Sequence, residues 1–403
     1  MWLLYCKGTK DGVPRFTEKI GMSSKTFNVS VEPAVLIWAR ESIGMSIDAV
    51  VKKIKGITIN TIKEWEKKDG VVKPTFAQIE KLSTVYKRPL SAFLLPDPPK
   101  EPPFPKDFRT LPSEEKQSLK PKTYLAIRKA RRFQYSAIEL IKELGEESKK
   151  LSIKANPSDN PETLAEKVRI QFGIKEFPRS TSFTKETALD EWIKLLENNG
   201  ILVFQISITM NKEIRGFSLI DEDVPVIVLR RSDETSAKIF TLFHEFAHLL
   251  LREGGICDLE ESDTSNEKFC NHFAGAFLVP KDKLLNHSIV KANVRIREWP
   301  ENFLKDIARD FNVSREVILR RLLILGLTTK NYYLKKHREW KIKYKEPFGR
   351  GKKDVIKICL KERGKKYISM AFDAYERKKI DEMRVADYLG VTSDKIPKVK
   401  EAI

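Results

Sequence analysis

The chain is 403 residues long, 41% hydrophobic and 33% charged, with a formal net charge of +19. A chain of this length can bury two or three separate cores, and no apolar run approaches the ~20 residues of a membrane-spanning helix. The charge is uneven: residues 281–403 carry +15 whereas residues 101–280 carry −3, so the positive excess lies at the C-terminal end. There it could meet nucleic acid or an acidic protein, or simply face solvent. The opening Met-Trp-Leu-Leu-Tyr-Cys lacks the cationic start and apolar length of a signal peptide. The four cysteines, Cys6, Cys257, Cys270 and Cys359, form no C-x-x-C pair. Reduced thiols in a cytoplasm are therefore expected.

Residues 1–30 show no sustained periodicity, and Met22 precedes a stretch that reads like an ordinary protein start. An N-terminal extension with translation beginning at Met22 is the expectation. Residues 31–95 then read as five short helices. Pro33–Glu41 is the first, and Ser46 caps a second that runs through Ile54. Gly56 makes a turn, Thr58 caps a third helix from Ile59 to Glu66, a fourth starts at Pro74 and a fifth short segment begins at Arg88. This order, with a tight turn between the second and third, predicts a helix-turn-helix domain. Its third helix would present Thr58, Asn60, Thr61 and Lys63 to base edges in a DNA major groove, with Lys52, Lys53 and Lys55 near phosphates. The domain's modest charge, +4 over residues 31–100, equally suits a module that binds protein or dimerises.

Pro96 to Pro105 holds six prolines in ten residues, which predicts a stiff extended linker over residues 96–118. Residues 119–330 should form a second domain. It begins with helices over Tyr124–Leu144, Pro161–Phe172 and Lys185–Asn198. Strands follow at Ile201–Ile206, Ile214–Ile220 and Val226–Leu229, each rich in β-branched or aromatic residues and bounded by turn residues.

Next, Phe240-Thr-Leu-Phe-His244-Glu245-Phe-Ala-His248-Leu-Leu-Leu251 reads as an apolar helix carrying an H-E-x-x-H motif, expected to be capped by Ser232-Asp233-Glu234. Two of the chain's five histidines fall here, one turn apart on one face, where they can share a tetrahedral Zn²⁺. Glu245 lies beside them and can take a proton from water that the metal has acidified, which implies hydrolysis, most often of a peptide bond. A third ligand is needed from a second helix, and Ser265–Pro280 offers Glu267, with His272 and Cys270 as rivals. Between the two helices, Cys257–Asp263 reads as a solvated acidic loop. A helix pair over Phe303–Asn312 and Ser314–Leu325 follows. Residues 331–403 form a basic helical C-terminal region, with a connection at Lys335–Lys353 and two helices over Lys366–Leu389 closed by Gly390.

The motifs together resemble the ImmA/IrrE metallopeptidases. The resemblance runs through Arg215-Gly-Phe-Ser-Leu, Pro225-Val-Ile-Val-Leu, the Phe240–His248 stretch and Glu267-x-x-Cys-Asn-x-Phe-Ala-Gly-x-Phe-Leu-x-Pro280. It departs at Arg230-Arg231, where relatives commonly carry asparagine. Trp65-Glu66, Pro74-Thr75 and Lys87-Arg-Pro-Leu-Ser-Ala-Phe look like the repressor-type, Xre-like helix-turn-helix modules often fused to these peptidases. The resemblance implies one Zn²⁺ per chain held by His244, His248 and Glu267, with Glu245 as general base. Arg215, Gly216 and Phe217 are the candidate edge strand for pairing with extended substrate.

The expected fold class is α+β, mostly α: a five-helix helix-turn-helix domain, then a zincin-like domain of a small sheet plus the H-E-x-x-H helix, then the helical C-terminal region. The resemblance further implies cleavage of a partner transcriptional repressor that switches on stress-response or mobile-element genes, with DNA bound through residues 31–95 and no membrane partner. A homodimer is left open. The competing reading is a non-catalytic DNA-binding regulator or antitoxin-like protein whose zinc is structural or sensory. For the donor that stabilises the reaction's oxyanion, His272, Tyr332, Tyr333 and His337 are the candidates.

Overall fold

The computed structural model describes residues 27–101, 121–174, 184–208, 214–221, 223–252, 256–258, 265–343 and 354–403. The expected start at Met22, Cys6, most of the proline-rich linker, the side chains of the Cys257–Asp263 loop and residues 344–353 of the basic connection lie outside them. The chain divides into two compact units, Met1–Lys100 and Glu101–Ile403. No helix among the described residues is long and apolar enough to cross a membrane.

The first unit contains α1 (Pro33–Glu41), α2 (Ile47–Val51), α3 (Ile59–Trp65), α4 (Phe76–Tyr86) and a 3-10 turn at Leu90–Leu94. Its helix starts follow from capping side chains. The Ser46 side chain accepts from Ala49 N–H, and Thr58 and Thr75 each close a capping box with the residue three positions on. The second helix ends at Val51, short of Ile54. Val35, Leu36, Ile62, Trp65, Ile79 and Phe93 fill the core. The Arg40 guanidinium spans from α1 to Glu66 at the end of α3 through bonds of 2.7 and 2.9 Å. The chain before α1 also takes part, since Asn28 bridges to Thr75 and the Phe27 ring stacks on Phe76. The unit therefore begins earlier than residue 31.

In the second unit, α5 (Pro121–Leu144), α6 (Pro161–Gln171) and α7 (Lys185–Asn198) precede a mixed sheet. Its strands are β1 (Leu202–Ile206), β2 (Ile214–Leu219), β3 (Val226–Arg230) and β4 (Ile256–Asp258), in the order β1-β3-β2-β4. β1 runs parallel to β3, while β2 is antiparallel to both β3 and β4. Between β3 and β4 comes α8 (Thr235–Leu250), the helix of the H-E-x-x-H motif. After β4 come α9 (Ser265–Leu278), the short α10 (Lys281–Leu285) and α11 (Ser288–Ala292), and then α12 (Glu301–Asp310) and α13 (Arg315–Ile324). The C-terminal part comprises α14 (Lys330–Lys343), α15 (Val355–Glu376), α16 (Glu382–Leu389) and α17 (Ile396–Glu401).

Both sheet faces are covered, which is why the strands read as continuous apolar runs rather than alternating ones. Val203, Ile227 and Leu229 face one core with α6 to α9 and α12 to α14. Leu202, Phe204, Ile206, Phe217 and Val228 face a second core, made by α5 and the C-terminal helices α15 to α17. The C-terminal helices thus complete the sheet's cover instead of standing apart from it.

Three local expectations change. The Lys335–Lys353 stretch is helical as far as Lys343, because α14 packs Tyr332 into the core. The helix expected from Lys366 begins at Val355 and passes through a kink at Gly364, whose φ of 71° is open to glycine. Finally, α8 has no side-chain cap at Glu234. Asp233 instead pairs with Arg230 at the end of β3, both side chains being almost fully buried.

Two positions make this packing testable. Gly216 lies where α8 crosses β2: a Cβ there would stand 2.6 Å from Thr241 Cγ2 and 2.7 Å from the Val228 carbonyl oxygen. One is the methyl of a buried, β-branched side chain on α8 and the other is backbone, so neither can yield cheaply. Gly216→Ala should cost about 1–3 kcal/mol of stability in denaturant melts, and an unchanged midpoint would show that the helix can shift without penalty.

At the α15 kink, Glu197 of α7 sits beneath Gly364 and accepts from the backbone N–H groups of Lys366 and Val203. Burial outweighs these contacts and pushes its carboxyl from the ordinary 4.5 up to about 8. The folded protein therefore keeps a proton that the unfolded chain loses. This contribution to stability is complete below pH 4.5 and is lost as pH rises through about 8. The slope is at most roughly 1.4 kcal/mol per pH unit. Glu197→Gln should flatten that decline in melts at pH 5, 7 and 9, and an identical slope in both proteins would place its source elsewhere.

Candidate active site

Aromatic packing sets the distance between α8 and α9. Phe243 stacks on Phe277 with centroids 4.3 Å apart, Trp192 of α7 meets the edge of Phe243 at 5.0 Å, and Phe246 lies 6.0 Å from Phe273. On the same two helices, residues one turn apart present polar atoms to each other inside this apolar surround. His244 Nε2 lies 3.1 Å from Glu267 Oε2, His248 Nε2 lies 3.3 Å from Glu267 Oε1, and the two Nε2 atoms are 3.2 Å apart.

Among the described residues this is the one group of three or more His, Cys, Asp or Glu side chains whose donor atoms converge as ligands would. Ligand atoms about 2.0–2.1 Å from a tetrahedral ion stand roughly 3.3 Å from one another. The spacing and the two-imidazole, one-carboxylate donor set therefore fit a single divalent cation such as zinc.

The electrostatics agree with that chemistry. His244, fully buried, has its pKa lowered chiefly by loss of water, against the pull of Glu267, and so stays neutral with a lone pair to give. Burial pushes the Glu267 carboxyl up, but its contacts to His244 and His248 outweigh this and hold it below the usual carboxylate range. Glu245 is also buried and stands outside the trio. Its Cγ would be 3.4 Å from a Cβ at Gly216, so it occupies the seam between α8 and β2.

The rival ligands go elsewhere. Cys270 is buried against His248, and burial pushes its thiol up, whereas a metal-binding thiolate needs the reverse. His272 Nε2 sits 2.7 Å from Glu162 Oε1. The same Glu162 takes a two-pronged contact from fully buried Arg321, at 2.5 and 3.0 Å. Burial alone would raise the Glu162 carboxyl, yet His272 and Arg321 draw it down to about 2.

The other oxyanion candidates are likewise engaged. The Tyr332 hydroxyl donates to the Trp299 carbonyl at 2.5 Å, Arg320 donates to the Tyr333 hydroxyl at 2.9 Å, and His337 Nδ1 pairs with Glu316 at 2.9 Å.

Arg215, Gly216 and Phe217 lie on β2, which is interior: β3 pairs on one side and β4 on the other, leaving β1 and β4 as the edges among the described residues. The edge-strand expectation is corrected accordingly. Phe217 points into the second core and Gly216 serves the close approach of α8. In the first unit, Thr58 and Thr61 bond to each other across the start of α3 at 2.8 Å, while Asn60 and Lys63 are exposed.

Three participants carried no assigned role in the sequence: Asn271, whose Oδ1 is 3.1 Å from His244 Nδ1, and the pair Glu162 and Arg321. Asn271 could have been found from its place one turn after Glu267 on the face that looks at α8. Glu162 and Arg321, far apart in sequence, left no such signal.

No curated protein matches the chain. Residues 196–323 match the family Peptidase_M78, described as the IrrE N-terminal-like domain. The match runs from the end of α7 almost to the end of α13 and takes in the whole histidine and glutamate cluster. Over that stretch, which is less than half of its length, the chain is similar to a family of peptidases of the ImmA/IrrE type.

Proposed function

We propose that the second unit is a zinc-dependent endopeptidase, joined in one chain to a DNA-binding helix-turn-helix module, and that its substrate is a partner transcriptional repressor. The observation that carries the enzymatic part is the convergence of His244, His248 and Glu267 beside the buried Glu245. A tetrahedral cation held by these three donors would keep one position for water or substrate, the arrangement that catalytic zinc sites use. When bound there, zinc lowers the pKa of water and polarises a carbonyl.

The chain's own groups do the rest. Glu245 accepts the proton of the attacking water and returns it to the leaving amine, so one carboxylate serves as base and then as acid. Its burial keeps bulk water from competing for that proton. His244, His248 and Glu267 would hold the cation. Closely packed aromatic side chains behind them limit drift, so that little reorganisation is needed on reaching the transition state.

For the first unit, the reading rests on α3, where Asn60 and Lys63 are free to reach a groove. Thr58 and Thr61 are occupied in the cap and contribute mainly by setting where α3 starts. Cleavage of a repressor by a protein that recognises the same DNA would couple proteolysis to derepression of stress-response or mobile-element genes. The cytoplasm is the compartment where both partners meet.

The enzymatic reading is tested by comparing the full chain with Glu245→Gln on repressors encoded nearby. The variant should bind zinc as the parent does yet cleave about 10²–10⁴-fold more slowly, and equal cleavage rates would remove Glu245 from the mechanism. For DNA, Lys53→Ala in the full chain should lower the slope of log affinity against log salt by about 1. A slope unmoved by that change would take the end of α2 off the phosphates.

A further inference from the structure

Beyond its part in the cluster, the His244 ring has a second nitrogen with a partner. Its Nε2 faces Glu267 and His248, while its Nδ1 lies 3.1 Å from Asn271 Oδ1. A neutral imidazole carries one ring proton, and Nε2 can give its lone pair to a cation only if that proton is on Nδ1. His244 is fully buried, so an Nδ1–H would need an acceptor from the protein. The Asn271 carbonyl oxygen meets that need. It also comes from α9, the helix that supplies Glu267, one turn further on.

Asn271 is itself held in place. Its neighbour His272 bonds to Glu162 of α6, and Arg321 of α13 clamps the same carboxylate while donating through Nε to the Val279 carbonyl at 3.0 Å. Gly275 leaves room for that arginine, since a Cβ there would lie 3.0 Å from Arg321 Cδ. A second clasp comes from Arg169 of α6, which donates to the Phe277 carbonyl at 2.8 Å. Two helices, α6 and α13, thus hold α9 at His272 and beyond it at Phe277 and Val279.

We infer that Asn271 is a positioning residue for the metal site, accepting the Nδ1 proton of His244 and so holding that ring in the orientation and tautomer that offers Nε2 to a divalent cation. This rests on the metal-binding reading of the cluster. It assigns to Asn271 an acceptor role that a packing residue of the same size could not fill.

The test is zinc affinity of the full chain, measured by competition with a chromogenic chelator, for the parent, Asn271→Leu and Asn271→Asp. Thermal melts of the metal-free proteins run alongside. Leucine keeps the volume and loses the acceptor, so it should weaken zinc binding by about 10–100-fold without a matching loss of fold in the metal-free state. Aspartate keeps an acceptor oxygen and should bind zinc at least as tightly as the parent. Asn271→Ala serves as the second acceptor-free variant should leucine not fold. Parental affinity in the acceptor-free variant would overturn the inference and leave the metal reading standing. Equal weakening by leucine and aspartate would also overturn it, by showing that shape and not the acceptor matters. Failure of the parent itself to bind zinc would remove the metal reading, and this inference with it.

Discussion

The stack of Phe243 on Phe277 brings together the helices from which the proposed metal ligands come. Neither ring does chemistry, yet three donor atoms can converge only if α8 and α9 approach at one separation and one rotation. The aromatic layer from Trp192 to Phe273 fixes both. On the opposite side of α8, Gly216 lets β2 come within van der Waals contact of Thr241 and Glu245. The helix is therefore gripped between a ring stack and a strand with no side chain at the crossing. That grip positions Glu245 as well as the histidines, because residues 244, 245 and 248 rotate together with their helix.

The same burial that fixes the geometry sets the charge states. In a dry surround an imidazole is more easily neutral and a carboxylate is costly, so burial alone favours the uncharged form of His244, whereas Glu267 requires the histidines to stay ionised. The Glu162–Arg321 pair shows the opposite economy. A fully buried guanidinium is tolerable only when its donors are satisfied, and here Glu162 and the Val279 carbonyl take them. The charge lost from water is thereby converted into a rigid tie among α6, α9 and α13.

The sequence disclosed the parts whose causes are local. Helical spacing put His244 and His248 on one face, and short polar caps marked Ser46 and Thr58 as helix starts. Turn residues bounded three strands to within a residue or so of β1, β2 and β3. What stayed hidden depends on partners distant in the chain. β4 is three residues long in an acidic stretch, too short for a periodic signal. That β2 is interior follows from that pairing, and no property of Arg215-Gly-Phe announces it. Asp233 looked like a cap because it precedes a helix, but Arg230, only three residues back, offers a stronger partner once both are buried. The helix expected from Lys366 starts at Val355 instead, because the helical chain continues across Gly364 over Glu197.

The C-terminal charge takes on a different meaning once the second core is seen. Phe204 and Phe217 on the outer sheet face are fully buried, and each such ring buried contributes about 1.5–3 kcal/mol, so that face could not stand in water. α15 to α17 cover it with Tyr367, Ile368, Ala371, Val385 and Leu389. A helix covering a sheet must be apolar on one side only; α15 carries Lys357, Lys361, Lys365 and Lys366 in solvent, and Lys378 and Lys379 are exposed in the turn after it. Where the covering layer needs charge inside, it pairs it: Glu362 takes both Lys129 of α5 and Arg231 after β3, at 2.6 and 2.8 Å. The lysine excess is thus in the first place the wet side of a structural layer. Any anionic partner it attracts would meet lysines spread over an exposed surface, which favours attraction at a distance over recognition of sequence.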